Sequence, residues 1–141
     1  MNTPLSREEL LRLIPHAGRM CLLDQVIDFS ESEIQCVSRT HLDPANPLRR
    51  DDALSALHLV EYAAQAMAAH GALNAFGRAQ PGMLAALRDI RLHAEQIHSI
   101  EGELRIHARR RLAQREGSLY EFSVSGGGRV LCEGRIAIAL Q

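Results

Sequence analysis

The feature that most constrains the fold of this chain is a long apolar stretch over residues 53–77. Apolar residues recur in it at helical spacing, and alanines rather than charges fill the opposite side. We therefore predict one helix, capped at its start by Asp51, Asp52 and Ser55 and ended by Gly77. A helix that is apolar nearly all round belongs in a protein interior, so the rest of the chain must cover it.

One side chain departs from this pattern, because Glu61 is the only charged residue between Asp52 and Arg78. An ionised carboxylate in apolar surroundings is costly unless it is paired or neutralised, so a buried Glu61 is a candidate functional residue. The alternative is an exposed helix edge at which Glu61, Gln65 and His58 meet solvent, since they are helical neighbours. The pattern alone leaves both interpretations open.

Composition and motifs exclude several classes of function. The formal net charge of −1 does not favour nucleic-acid binding. Three widely spaced cysteines predict neither a disulfide framework nor a zinc site, and the histidines form no metal-binding pair at helical spacing. No apolar run is long enough to cross a membrane, and the first residues do not resemble a signal peptide. We expect one cytoplasmic domain over residues 1–141 with no metal or cofactor.

The remaining segments predict a short helix and six strands. Ser6 and Glu9 match a capping box, which predicts a helix over residues 6–13. Alternating apolar residues and intervening turn residues predict strands over residues 20–29, 34–41, 83–95, 102–114, 118–125 and 129–140. The alternation places Leu112 on the inner face of the fourth strand and Val130 on the same side of the last strand as Cys132.

This order of elements predicts an α+β fold in which a curved antiparallel sheet wraps around the long helix. One sheet of this size does not cover the helix and both of its ends. We therefore expect a symmetric dimer.

Three groups of residues resemble, in order, the motifs of the β-hydroxyacyl-acyl carrier protein dehydratases. They are Leu13-Ile14-Pro15-His16 followed by residues 20–26, then residues 60–66, and finally residues 87–92 followed by residues 101–106. The branch that the chain resembles most is that of the dehydratase-like proteins of aryl-polyene pigment clusters. The resemblance implies the hotdog fold, an antiparallel sheet around one central helix, usually in a dimer with two composite sites.

The resemblance implies that Glu61 is the catalytic carboxylate. The family's histidine normally lies in a histidine-phenylalanine-proline motif ahead of this carboxylate, but the equivalent position here holds Pro47. His16 in the opening motif is our first candidate for the missing histidine. His41 and His58 are the alternatives, and a chain without any catalytic histidine is the remaining one.

The implied reaction is the removal of water from a (3R)-hydroxyacyl thioester on acyl carrier protein, which gives a trans-2-enoyl thioester. A histidine takes the proton beside the thioester and the carboxylic acid protonates the leaving hydroxyl. We expect Ala56, Leu57, His58 and Gln65 to contact the substrate. The backbone N–H groups of Ala56 and Leu57 are predicted to polarise the thioester carbonyl. The reaction needs no metal or redox cofactor.

Two other functions remain open. In a hotdog thioesterase, Glu61 would activate water or attack the acyl carbon. In a non-catalytic acyl-binding or partner subunit, the fold would persist without the usual histidine.

The partners are also predicted. Because carrier proteins are acidic, we expect Arg49 and Arg50 to bind them, with Arg105, Arg109 and Arg111 as the rival patch. A homodimer is the first expectation and a heterodimer the alternative.

Overall fold

The structure, a computed structural model, describes residues 4–14, 17, 20–75 and 82–140. Its helices and strands, in chain order, are α1 (Arg7–Leu13), β1 (Gln25–Phe29), β2 (Glu33–Ser38), α2 (Leu59–Asn74), β3 (Gly82–Leu92), β4 (Leu104–Gln114), β5 (Gly117–Gly126) and β6 (Arg129–Leu140). In this part of the chain, six strands form one antiparallel sheet in the order β1-β2-β4-β5-β6-β3. The predicted α+β hotdog fold is therefore confirmed.

Helix α1 begins with the predicted capping box. The Ser6 hydroxyl accepts a hydrogen bond from the backbone N–H of Glu9, and the Glu9 carboxylate accepts one from the backbone N–H of Ser6 at 3.2 Å. Each partner satisfies an amide that the helix itself leaves free. Leu10 and Leu13 then pack the helix onto the core.

Helix α2 begins later than the sequence predicts. The Ser55 hydroxyl accepts from the Leu57 N–H at 3.2 Å, and a 3₁₀ turn, Ala56–His58, leads into the helix. Asp51 and Asp52 do not cap it, because both have positive φ angles in the turn that joins Arg50 to Ala53. The predicted end at Gly77 lies outside the described residues.

The inner face of the sheet packs against α2. The helix buries nine residues: Leu59, Val60, Tyr62, Ala63, Ala66, Met67, Ala69, His70 and Ala72. From the sheet, alternate residues of β4 and β5 complete the core as predicted: Leu104, Ile106, Ala108, Tyr120, Phe122 and Val124. Burial of this apolar surface is the main source of stability for such an arrangement.

Leu112, predicted to face inward, and Val130, predicted to share a side with Cys132, both face outward instead. Leu112 is 51% exposed, because the pairing register of β4 with β5 shifts between Arg110 and Leu112. Val130 is also exposed, and its neighbour Leu131 is buried in its place. A register shift next to the final hairpin, between Val124 and Ser125, accompanies this change. An irregularity of one residue moves a side chain to the other face of a strand, and sequence alternation does not reveal it.

Strand β3 lies at the edge of the sheet and pairs with β6 on one side. Two of its large apolar side chains, Leu87 and Leu92, are exposed. Among the described residues, no helix has the length and apolarity required to span a membrane.

Candidate functional site

Glu61 lies in the first turn of α2, on the side of the helix that faces away from the sheet. Its side chain is 51% exposed, whereas the neighbouring Val60 and Tyr62 are buried. Leu57 is 55% exposed one turn earlier. Of the two interpretations that the sequence leaves open, the single chain therefore shows the exposed helix edge for Glu61.

His58 is the described titratable side chain that contacts Glu61. Its Nδ1 lies 3.7 Å from Glu61 Oε2, which is too long for a hydrogen bond but within the range of an ion pair when the imidazole is protonated. The structure thus brings two predicted site residues together. Both side chains come from one turn of one helix, so they reach a ligand from the same side.

The side-chain amide of Gln65, one turn after Glu61, forms hydrogen bonds with the protein backbone. Its Oε1 accepts from the Leu22 N–H at 2.8 Å, and its Nε2 donates to the Met20 carbonyl at 2.6 Å. Both ends of the amide therefore bind the backbone of one extended segment. Gln65 holds residues 20–22 against the helix.

A buried polar network continues from this segment to the residue that follows Glu61. The Thr40 hydroxyl donates to the Leu22 carbonyl at 2.7 Å and accepts from the Tyr62 hydroxyl at 2.9 Å. Asn46 donates its side-chain amide to the Tyr62 hydroxyl and to the Thr40 carbonyl. Burial raises the pKa of Tyr62, so its phenol stays protonated and can donate. Sequence reasoning missed this network, whose partners are separated along the chain.

The alternative histidine His41 is buried and held by the fold. Its Nε2 lies 2.8 Å from the Ile100 carbonyl and must carry the proton, because a carbonyl only accepts. Its Nδ1 has no hydrogen-bond partner among the described residues, and burial lowers the pKa of the ring. A neutral, enclosed imidazole fits a structural role. His16, the first candidate, lies outside the described residues and stays a prediction.

The backbone N–H groups of Ala56 and Leu57, at the helix start, both donate hydrogen bonds within the protein. The Ala56 N–H donates to the Glu95 carbonyl at 2.9 Å, and the Leu57 N–H donates to the Ser55 hydroxyl at 3.2 Å. Both N–H groups would have to leave these partners to polarise a thioester carbonyl, and their role in substrate binding stays a prediction. The Glu95 partner comes from the loop after β3, which sequence alone does not place beside the helix.

The arginines near the helix start differ from each other. Arg49 is half-buried, and its guanidinium donates to the carbonyls of His41 and Asp52. Arg50 is exposed, and its side chain has no hydrogen-bond or ion-pair partner among the described residues. Each rival arginine has a carboxylate within 4.0 Å: Arg105 pairs with Glu103, Arg109 with Glu33 and Arg111 with Glu121. Among the predicted carrier-protein residues, Arg50 is thus the least engaged cation.

No cluster of three or more potential metal ligands occurs among the described residues. The three cysteines are all buried and unpaired. Burial raises the pKa of Cys36 to about 12, so its thiol is protonated and unreactive at neutral pH.

Comparison with known proteins places the chain in a family. A family model described as ApeP-like, ApeP dehydratase, matches residues 8–140. No curated protein matches the chain in sequence. Among solved structures, the dehydratase heterocomplex ApeI:P from Xenorhabdus doucetiae contains a chain that is 25% identical, with a TM-score of 0.80. The alignment covers 94% of this chain and 90% of that one.

Thioesterases share the fold at lower identity. A mutant thioesterase of Pseudomonas aeruginosa is 14% identical with a TM-score of 0.65, over 93% of this chain and 92% of that one. A thioesterase of Haemophilus influenzae is 16% identical with a TM-score of 0.63, over 97% and 91%. At this level of identity the similarity shows a common fold and nothing about activity.

Proposed function

Because this chain belongs to the ApeP-like dehydratase family, we propose that it removes water from a (3R)-hydroxyacyl thioester carried on acyl carrier protein. The product is a trans-2-enoyl thioester, and the pathway is a polyene-type synthesis. The position of Glu61 is the observation that identifies a candidate catalytic residue for this reaction. It is a half-exposed carboxylate on a helix whose other side is buried in the core.

The reaction needs one base and one acid. The base removes a proton from the carbon beside the thioester carbonyl, and the electron pair of that bond forms the new double bond. The bond from the next carbon to its hydroxyl breaks, and Glu61 in its neutral form supplies the proton with which the hydroxyl leaves as water. Before the next turnover, the base must lose its proton and Glu61 must regain one.

We assign His58 a supporting role rather than that of the base. It lies 3.7 Å from Glu61 on the same helical turn, so the two cannot face each other across a substrate. His58 instead orients the carboxylate. The base is His16, or a histidine from a second chain.

Three observations support a second chain. The position of the family's usual histidine holds Pro47, and the related ApeI:P structure is described as a heterocomplex. The exposed side of α2 also leaves room for a partner to cover Glu61 and Leu57. We therefore propose that the site is completed by another hotdog chain, which is either a second copy or a related subunit.

Strand β3 is the proposed contact with that partner. It runs for 11 residues along the sheet edge, with Leu87 and Leu92 exposed. The outer edge of such a strand presents unpaired backbone groups that readily accept another strand. Pairing there would extend the sheet and cover the exposed leucines. For the carrier protein we propose Arg50, since its guanidinium is available for an acidic surface.

The alternatives have unequal support. The similarity to thioesterases is one of fold, so it adds little to the thioesterase hypothesis. A partner subunit without its own catalytic activity is favoured by one specific observation, the replacement of the usual histidine by Pro47.

The test is to incubate the purified chain with 3-hydroxyacyl and saturated acyl thioesters on carrier protein. It is tested alone and mixed with a hotdog chain that contains the histidine-phenylalanine-proline motif. Enoyl product from the chain alone supports a self-sufficient dehydratase, and enoyl product only from the mixture supports a composite one. Free thiol from the saturated thioester would indicate a thioesterase. The absence of both products, with intact binding to the partner, would indicate a non-catalytic subunit.

A further inference from the structure

The outer face of the sheet, which faces away from α2, carries a row of charged side chains. Side chains at directly paired positions of neighbouring strands lie on the same face. The inner-face neighbours of this row, Ala108, Phe122 and Ile136, are buried, so the row itself projects outward. From β2 through β4, β5 and β6 to β3, its members are Glu33, Arg109, Glu121, Arg135 and Arg88.

An apolar row lies beside the charged row, toward the β4–β5 turn. Its members occupy paired positions on β4, β5, β6 and β3 and are Leu112, Leu119, Ala137 and Ala86. Leu112 is 51% exposed and Leu119 is half-buried. The outer face therefore presents apolar surface next to ordered charges, a combination that is typical of protein interfaces.

The charged side chains at the centre of this face keep the capacity to bind a further partner. Arg109 Nε lies 3.8 Å from Glu33 Oε2, and Arg135 Nε lies 4.0 Å from Glu121 Oε1. These separations exceed the roughly 2.7–2.9 Å of a charge-assisted hydrogen bond. All four side chains are between 32% and 53% exposed, so a second molecule can reach them.

The order of the charges makes this row complementary to itself. The middle of the six-stranded sheet lies between β4 and β5. From β2 to β6 the signs run negative, positive, negative, positive, and reversal about the middle places an opposite charge at every position. A twofold axis parallel to the strands at this point sets Arg109 against Glu121 of a second copy. It also sets Glu33 against Arg135 of that copy.

The same axis brings the apolar rows together. It stacks Leu112 on Leu119 of the second copy, and the reciprocal contact forms because such an interface is isologous. An axis across the strands would instead exchange the two ends of the face, and Leu112 would then meet Arg105, which lies at the other end of β4. Apolar contact and charge pairing thus favour one relative orientation.

We propose that the outer face of the sheet binds the same face of a second copy of this chain, about a twofold axis between β4 and β5. Two sheets packed face to face lie about 10 Å apart, and their side chains interdigitate. This contact goes beyond the proposed function. It uses neither the edge of β3 nor the surface around Glu61, which lies on the opposite side of α2 from the sheet.

Reciprocal charge reversal tests the contact. In Glu121→Arg, two positive charges face each other between identical copies, and in Arg109→Glu two negative charges do. In an equimolar mixture, each positive pair of one variant meets the negative pair of the other. Within each chain the like charges stay on neighbouring strands, so recovery on mixing reports a contact between copies rather than repair within one chain.

Sedimentation equilibrium of the full chain at micromolar concentration gives the readout. The wild type should have the mass of two chains, or of four if the β3 edge also pairs with itself. Each reversal alone should halve the wild-type mass, and the mixture should restore it. Glu8→Arg and Arg12→Glu, the same reversals at exposed positions of α1, should keep the wild-type mass. Circular dichroism checks that every variant is folded.

Leu112→Gln tests the apolar part of the contact without a change in charge. The interface contains the Leu112–Leu119 pair twice, so this variant should raise the Kd of self-association by at least about tenfold. An unchanged Kd would contradict the predicted orientation of the two copies.

Three results would overturn the proposal: a wild type that sediments as one chain, reversals that leave the mass unchanged, or a mixture that stays at half the wild-type mass. If Arg109→Glu abolishes binding of the acidic carrier protein while the mass stays the same, the face binds the carrier instead. None of these outcomes depends on enoyl-thioester formation, so failure of the proposed function is a separate result.

Discussion

The carboxylate of Glu61 lies 3.7 Å from Nδ1 of His58, and both side chains project from the same exposed turn at the start of α2. This relationship decides how the two groups divide the chemistry. Two groups on one turn approach a substrate from one side. Under the proposed function, Glu61 is therefore the acid, His58 its orienting neighbour, and the base comes from another element or another chain.

His58→Gln tests this division of roles. We expect kcat for dehydration to fall by about tenfold with little change in KM, because an orienting group contributes less than a proton donor. The matched control is His93→Gln, which breaks a surface histidine–glutamate pair of 2.7 Å elsewhere on the protein and should leave kcat unchanged. A loss as large as that of a Glu61 variant would show that His58 itself moves a proton.

Reversal of charge at Arg50 should weaken carrier-protein binding. In Arg50→Glu we expect a several-fold rise in Kd at low salt that shrinks as salt is added, because surface charges are screened. Arg111→Glu, whose arginine faces Glu121 at 3.5 Å, is the control for a general change in charge. Isothermal calorimetry with the acyl carrier protein measures both, and equal effects would place the docking surface elsewhere.

Arg49→Glu should behave differently from Arg50→Glu. The Arg49 guanidinium holds the carbonyls of His41 and Asp52, so its replacement should lower stability through the loop. A fall in melting temperature without a separate loss of carrier binding per folded molecule would confirm the structural role. Unaltered stability would contradict it.

Tyr62→Phe should cost roughly 1–3 kcal/mol in the free energy of unfolding, because Asn46 and Thr40 lose a buried hydrogen-bond partner. Urea denaturation measures this loss. The change should be non-additive with Thr40→Val, since both variants disrupt one network. Additive effects would show that the two hydroxyls act independently.

Stability should fall in mild acid because of His70. Its Nε2 donates to the Ser30 carbonyl at 2.9 Å, and its Nδ1 lies 2.6 Å from the Tyr120 hydroxyl, which donates to it when the ring is neutral. Burial lowers the pKa of His70 below its usual 6.5, so below pH 6.5 the unfolded chain binds more protons than the folded one. The stabilisation present above pH 6.5 is lost as pH falls toward the folded pKa.

Denaturation at pH 7.5 and pH 5 measures this dependence. The slope from one histidine is at most about 1.4 kcal/mol per pH unit. His70→Gln should reduce the slope without abolishing it, because burial also lowers the pKa of His41. A slope identical to that of the wild type would show that His70 is not the source.

The periodicity of the apolar residues predicts the fold well, since the helix α2 and all six strands of the described sheet follow from it. Periodicity does not predict local irregularities, because they depend on tertiary packing. Examples are the bulge that exposes Leu112 and the turn that removes Asp51 and Asp52 from the helix. The identity of Glu61 as a candidate also follows from sequence. Its exposure does not, because a helix with alanines on most sides gives no strong signal for which side faces the sheet.

The roles of the neighbouring residues were harder to predict. Gln65 is an i+4 neighbour of Glu61, and that spacing suggested contact with the substrate. Its actual partners, Met20 and Leu22, lie more than forty positions away in the sequence. Such long-range hydrogen bonds require the folded arrangement of both segments, so no local sequence pattern predicts them.

The rate of enoyl-thioester formation in Glu61→Gln tests the central claim most directly. The substitution keeps the size of the side chain but removes the proton donor, so we predict a loss of roughly 10²–10⁴-fold in kcat. Because the Glu61 side chain is half exposed, the melting temperature should stay the same, and Glu116→Gln at the exposed β4–β5 turn should keep full activity. A Glu61→Gln protein that forms enoyl thioester at the wild-type rate would contradict the account.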